Sequence, residues 1–129
     1  MKEVKKSVPK VDSMGLILGK PAYTDDLAPS NALIIKILRS PHAFARIKKI
    51  DASKALKMPG IECVLTYKDF PRVPITRAGQ GYPEPSPWDK FVLDEYVRYV
   101  GDEVAIIAGK DEKTVEEALE LIEVDYEVL

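Results

Sequence analysis

An α+β fold, a mixed sheet with helices packed on it, is what this sequence predicts, and three observations carry that expectation. Strand-length apolar runs rich in β-branched residues recur, among them 32–38, 61–66 and 104–108. Helical periodicity is confined to short stretches, clearest where Val115, Ala118, Leu119 and Ile122 fall at i, i+3, i+4 and i+7. The two kinds of element then follow one another without the strict βαβ alternation of a doubly wound sheet.

The elements can be justified in chain order. Residues 1–14 are polar and read as an extended arm, ahead of a single domain over 15–129. Turn-forming residues cluster at Tyr23-Thr24-Asp25-Asp26. The run 32–38 has the continuous apolar character of a buried strand, and Pro41, which lacks a ladder donor, ends it. Residues 45–51 form a strand with at least one solvated face. Asp51 or Ser53 then caps a short helix over 53–57, which Met58-Pro59-Gly60 stops before the strand 61–66. Residues 71–90 gather Pro71, Pro74, Pro83, Pro85 and Pro87 among Gly79, Gly81 and Trp88, either a stiff loop suited to lying on a partner surface or a surface connection with no task. After a turn at Gly101-Asp102, 104–108 is a buried strand. Asp111 caps the second helix, where Lys113 meets Glu117 one turn on, and 123–128 alternates with the period of a strand.

Composition narrows the function classes. With 129 residues, 46% hydrophobic and 31% charged, the chain can bury a core and is not expected to be disordered. Its 19 basic and 21 acidic residues leave a net charge of −2, without the clustered basic excess that nucleic-acid binding needs. No apolar run approaches the roughly 20 residues that cross a bilayer, and Met1-Lys2-Glu3-Val4-Lys5-Lys6 lacks a signal peptide's apolar stretch, so a cytoplasmic location is the expectation. One cysteine, Cys63, excludes an internal disulfide and a Cys-rich zinc or iron–sulfur site; its apolar neighbours make it a small buried hydrophobe.

Several groups invite a chemical reading and are better explained structurally. Asp25 and Asp26 are adjacent carboxylates, but a working acid–base pair needs environments that separate its pKa values, and a polar turn provides a cap or turn hydrogen bond instead. Ser40-Pro41-His42 sets a hydroxyl near the only imidazole, without a group to orient the ring or an oxyanion hole. Gly79-Gln80-Gly81 lacks the preceding strand and following helix of a phosphate cradle. Arg39 and Arg46 bracket the turn at Pro41 and could hold a carboxylate bidentately; an internal salt bridge or a contact to a neighbouring domain suits them better than substrate. No catalytic, cofactor-binding or metal residue is therefore assigned.

A set of motifs in fixed order carries a resemblance. Residues 19–27 (Gly19-Lys20-Pro21-Ala22-Tyr23-Thr24-Asp25-Asp26-Leu27), 39–47 (Arg39-Ser40-Pro41-His42-Ala43-Phe44-Ala45-Arg46-Ile47), Pro59-Gly60-Ile61 and 97–105, which includes Gly101, Val104 and Ala105, precede a Val124-Asp125-Tyr126-Glu127 ending. Together they resemble the N-terminal a/b hammerhead domain of the molybdenum hydroxylase large subunit, the xanthine dehydrogenase and aldehyde oxidase family. The motif residues taken as structural or interface positions are Gly19, Tyr23, Asp26, Arg39, Ser40, Pro41, His42, Arg46, Pro59, Gly60, Gly101, Val104 and Ala105. Phe44 stands where histidine is common in the motif.

The resemblance implies a parent enzyme that hydroxylates a purine, another heterocycle or an aldehyde at molybdopterin-bound molybdenum. Water is the oxygen source, and electrons leave through 2Fe-2S clusters to FAD. It also implies downstream molybdopterin-binding domains in the same subunit and iron–sulfur and flavin partner subunits. The chain is expected to be a fragment of that longer subunit, inactive alone. A free-standing interaction or adaptor module with the same fold is the alternative.

Overall fold

A computed structural model describes residues 6–20, 23–76 and 87–129. The chain divides into two compact units, Met1–Ala32 and Leu33–Leu129. This division differs from the expected boundary after Met14. In the first unit a one-turn helix, α1 (Ser13–Ile17), takes in Ser13 and Met14, which the extended-arm reading had left out. Gly19, at φ 66°, turns the chain so that the Lys20 amide reaches the Gly15 carbonyl at 2.8 Å. A 3-10 turn follows at Asp25–Leu27, with the Tyr23 amide donating to Asp26 Oδ2 at 3.0 Å.

Among its described residues the second unit carries six strands and two helices: β1 (Ile34–Arg39), β2 (Ala45–Asp51), α2 (Ser53–Leu56), β3 (Ile61–Thr66), β4 (Tyr96–Val97), β5 (Glu103–Gly109), α3 (Glu112–Leu119) and β6 (Glu123–Val128). The α+β class stands. In place of one mixed sheet, two three-stranded sheets form, ordered β1-β5-β3 and β4-β2-β6, and every strand pair is antiparallel. Successive strands alternate between the two sheets, so none of these hydrogen-bonded pairs is joined by a direct hairpin.

Helices cover one face of the first sheet. Val115 and Ala118 of α3, Ala55 of α2 and the following Ile122 pack on Val64, Ala105 and Ile107. Burying each of the larger side chains contributes about 1.5–3 kcal/mol, which fixes α3 more firmly than its eight residues could by propensity. The Asp111 side chain accepts the Thr114 amide at 2.9 Å, the expected N-cap. The second core joins Ala45, Ile47, Val97 and Val104, and Leu38, Ile50 and Val124 touch both cores, tying the two sheets together.

Four expectations need correction. Strand β1 is not buried: Ile34, Ile35 and Ile37 are 38, 61 and 36% exposed, because it lies at a sheet edge with α3 on one side only. Ile122 lies beyond the end of α3, although still 8% exposed; the Leu121 and Ile122 amides bond to Ala118 and Leu119 carbonyls in a closing turn. Ala52 is the N-cap of α2, and Asp51 instead accepts the Ser53 amide at 2.9 Å. Cys63 is half-buried, on the sheet face that the helices leave bare.

Candidate functional site

The best-organised polar cluster sits where β1 ends and β5 begins. Antiparallel pairing brings Arg39 opposite Glu103, with a register shift between Leu38 and Arg39. Beyond the shift the backbones continue to exchange hydrogen bonds. The Ser40 amide donates to the Asp102 carbonyl at 2.9 Å and the Gly101 amide to the Ser40 carbonyl at 2.8 Å. Gly101 makes the turn at φ 91°, a conformation that a side chain would strain. Arg39 Nη1 donates to the Gly101 carbonyl at 2.9 Å and lies 3.7 Å from Glu103. Two motifs separated by some sixty residues thus form one knot.

Asp102 is its centre and is 1% exposed. Its carboxylate accepts the Arg98 amide at 2.8 Å, the Glu103 amide at 3.2 Å and the Lys90 ammonium. Burial favours the neutral acid, but the Lys90 and Arg98 hydrogen bonds outweigh it and hold the Asp102 pKa below the ordinary value. Burial likewise works against the Lys90 charge, and Asp102 and Glu103 overcome it to raise the Lys90 pKa. Beside them Asp94, 6% exposed, is held by Arg98 at 2.8 Å and Arg72 at 3.3 Å.

Ser40 and His42 do not form a catalytic pair. Ser40 Oγ donates to the His42 carbonyl at 3.1 Å and accepts the His42 amide at 3.0 Å, which closes the turn over the exposed Pro41. The imidazole packs edge-on against Tyr126, with ring centroids 4.9 Å apart. Burial raises the Tyr126 pKa, while a hydrogen bond with Ser40 opposes the rise. Arg46 lies 3.5 Å from Glu95 and over the Tyr96 ring, so both bracketing arginines make internal contacts.

The structure gathers Arg39, Ser40, His42, Gly101, Val104 and Ala105 at the knot or in the cores directly behind it. Pro59 and Gly60 stand elsewhere, at the start of β3, where Gly60 (φ 93°) accepts the Lys110 amide at 2.9 Å. Gly19, Tyr23 and Asp26 belong to the Met1–Ala32 unit. The expected cradle at Gly79-Gln80-Gly81, and most of the proline-rich loop, lie outside the described residues. Sequence reasoning missed Lys90, Asp94 and Arg98 as members of the knot, and missed β4. A two-residue strand has no periodicity to find, and a lone lysine 12 positions before its aspartate has no spacing signal.

Chemically the knot is saturated. Among the described residues no buried side-chain nitrogen or oxygen lacks a partner, and no three of His, Cys, Asp or Glu are placed to hold a metal ion. A single cysteine, Cys63, cannot supply the thiolate set of an iron–sulfur cluster. Among them, too, no helix is long and apolar enough to cross a membrane.

Two three-stranded antiparallel sheets, with helices on one of them and a junction at the 39–47 and 97–105 motifs, define an α+β domain whose polar cluster is structural. Residues 18–129 match the family described as aldehyde oxidase and xanthine dehydrogenase, a/b hammerhead domain, and the chain belongs to it. It is 44% identical over 124 residues to a probable hypoxanthine oxidase of Escherichia coli (strain K12), covering 96% of this chain. Among solved structures, quinoline 2-oxidoreductase from Pseudomonas putida 86 superposes over 95% of this chain with a TM-score of 0.73 and 32% identity. A Cu,Mo-CO dehydrogenase matches over 95% with a TM-score of 0.72 and 36% identity. This chain spans only 13% of the length of the first of these, 16% of the second and 15% of the third.

Proposed function

We propose that this chain is a structural domain of the large subunit of a molybdopterin-dependent hydroxylase, xanthine dehydrogenase-like in its chemistry. The observation that carries this reading is the family match across 18–129 in relatives several times longer. The site's geometry agrees with it. A buried carboxylate held by the Lys90 ammonium and the Arg98 and Glu103 amides fixes the turn between β4 and β5. The domain's work is to present a rigid surface on which molybdopterin-binding domains of the same subunit pack, with iron–sulfur and flavin subunits supplying the electron path. The bound group would supply oxidative hydroxylation of a purine, other heterocycle or aldehyde with oxygen from water. No step of it passes through the described residues.

The test is to purify the native gene product and incubate it with hypoxanthine, xanthine, nicotinate and aldehydes in isotopically labelled water. Label appearing in an oxidised product supports the proposal. A purified protein that contains molybdopterin yet oxidises none of these classes, or one that contains no molybdopterin, rejects it.

A further inference from the structure

The sheet β1-β5-β3 has two faces, and the described residues of the Leu33–Leu129 unit cover one of them. Lys36 and Leu38 alternate toward α3: Lys36 Nζ reaches Glu112 and Glu116 at 2.5 and 3.1 Å, and Leu38 joins the core. The odd-numbered residues of β1 point the other way. The register places Ile35 beside Ala108 and Cys63, and Ile37 beside Ile106 and Leu65, so these residues share the second face. An antiparallel sheet with a solvated side normally alternates apolar inward and polar outward. This one is apolar on both sides.

The second face also continues into the adjoining loops. Ile37, Ile106, Ile75, Phe91 and Val92 line a shallow, almost wholly apolar cleft of about 320 Å³, bounded by the Lys90–Glu103 ion pair at 3.2 Å. Ile35, Val92 and Ile75 are 61, 43 and 36% exposed. Contiguous aliphatic surface of this kind marks an interaction site. Its charged neighbours neutralise each other, so it offers an aliphatic partner no unpaired charge to bury. The relatives indicate the occupant: in quinoline 2-oxidoreductase and CO dehydrogenase, the matching segment is 16% and 15% of a single polypeptide.

We infer that the bare face of β1-β5-β3, centred on Ile35 and Ile37, is the docking surface for an aliphatic face of another domain of the same polypeptide. The inference rests on the reading of this chain as one domain of a larger subunit and adds which surface joins it to the rest. It also accounts for the sequence of β1. The run 32–38, apolar at every position except Lys36, reads as a strand buried on both sides, and the described structure supplies cover on one side only.

The experiment uses the native gene product carrying Ile35→Cys, labelled with a maleimide and read at the peptide containing position 35 by mass spectrometry. Lys57→Cys, at the exposed end of α2, is the reference. Cover over the face slows labelling at position 35 about tenfold or more relative to the urea-unfolded protein, while Lys57→Cys stays near its unfolded rate. Hydroxyl-radical footprinting of the unsubstituted protein gives the same reading without a variant: low modification at Ile35, Ile75 and Val92. A benzophenone maleimide on Ile35→Cys then identifies the occupant, and a link within one polypeptide is the expected product. Fast labelling with strong modification at Ile35 overturns the inference, as does a link to a second copy or to a different chain. An active enzyme with a freely labelled position 35 would leave the proposed function intact, so the two can fail separately.

Discussion

Replacing Lys90 with methionine should destabilise this domain more than any surface change of similar size. The substitution keeps the length and apolar stem of the side chain and removes one charge. Asp102, 1% exposed, then keeps the Arg98 and Glu103 amides at 2.8 and 3.2 Å but loses its cation. Removing one partner from a buried ion pair costs about 3–5 kcal/mol, because the remaining charge stays out of water. The lower end applies here, since two amide donors remain. Against a net stability of about 5–15 kcal/mol, that is a large share. With a urea slope of about 1.5–2 kcal/mol per molar, the unfolding midpoint followed by circular dichroism falls by about 1.5–2 M. The control is Lys113→Met, whose Glu117 contact is 3.8 Å and exposed and whose loss should leave the midpoint unchanged. A cycle adding Asp102→Asn should show coupling of about 1–3 kcal/mol. A Lys90→Met midpoint within experimental error of the parent would refute the claim that the buried Asp102 depends on this cation.

Further outcomes follow from the same contacts. The Asp102 pKa is lowered by folding, so its contribution is present above the unfolded value near 3.9 and is lost as pH falls through the lower folded pKa; acid titration should show a shallower loss in Asp102→Asn. The Lys90 pKa is raised, so its contribution is present below about 10.4 and disappears only as pH rises through the folded value; a high-pH urea series checks that sign. Gly109→Ala should cost about 1–3 kcal/mol in thermal unfolding, because its Cβ would meet Val115 Cγ2 at 2.7 Å and the Gly60 carbonyl at 2.9 Å. Asp111→Ala should lower the melting temperature and Asp111→Asn should recover most of it, since the asparagine oxygen still accepts the Thr114 amide while its NH2 can donate to the Thr114 hydroxyl that Oδ2 now accepts.

The sequence announced the parts of the fold that depend on local pattern. The Asp111 cap, the α3 stripe as far as Leu119, the alternation of β6 as far as Tyr126 and the Pro41 stop appear where residue type alone places them. It could not announce what depends on distant partners. The exposure of Ile35 follows from the order β1-β5-β3, which no local run encodes. The pairing of Lys90 with Asp102 exists only after the Ile75–Lys90 bridge has set that segment beside the turn at Gly101. Ser40 and His42 show the converse case. Their proximity in sequence suggested a dyad to be weighed, and the fold turns the hydroxyl onto backbone and the ring onto Tyr126. The 39–47 and 97–105 motifs were visible as motifs, but that they meet at one junction is a tertiary fact.

The central claim is that these residues build a scaffold whose redox chemistry is held by other parts of a larger enzyme. Its most direct test is molybdenum analysis of the 129-residue chain, produced alone beside the native gene product and checked for folding by circular dichroism. The expected result is stoichiometric molybdenum in the native protein and background metal in the folded chain. Molybdenum bound one-to-one by the chain alone would contradict it.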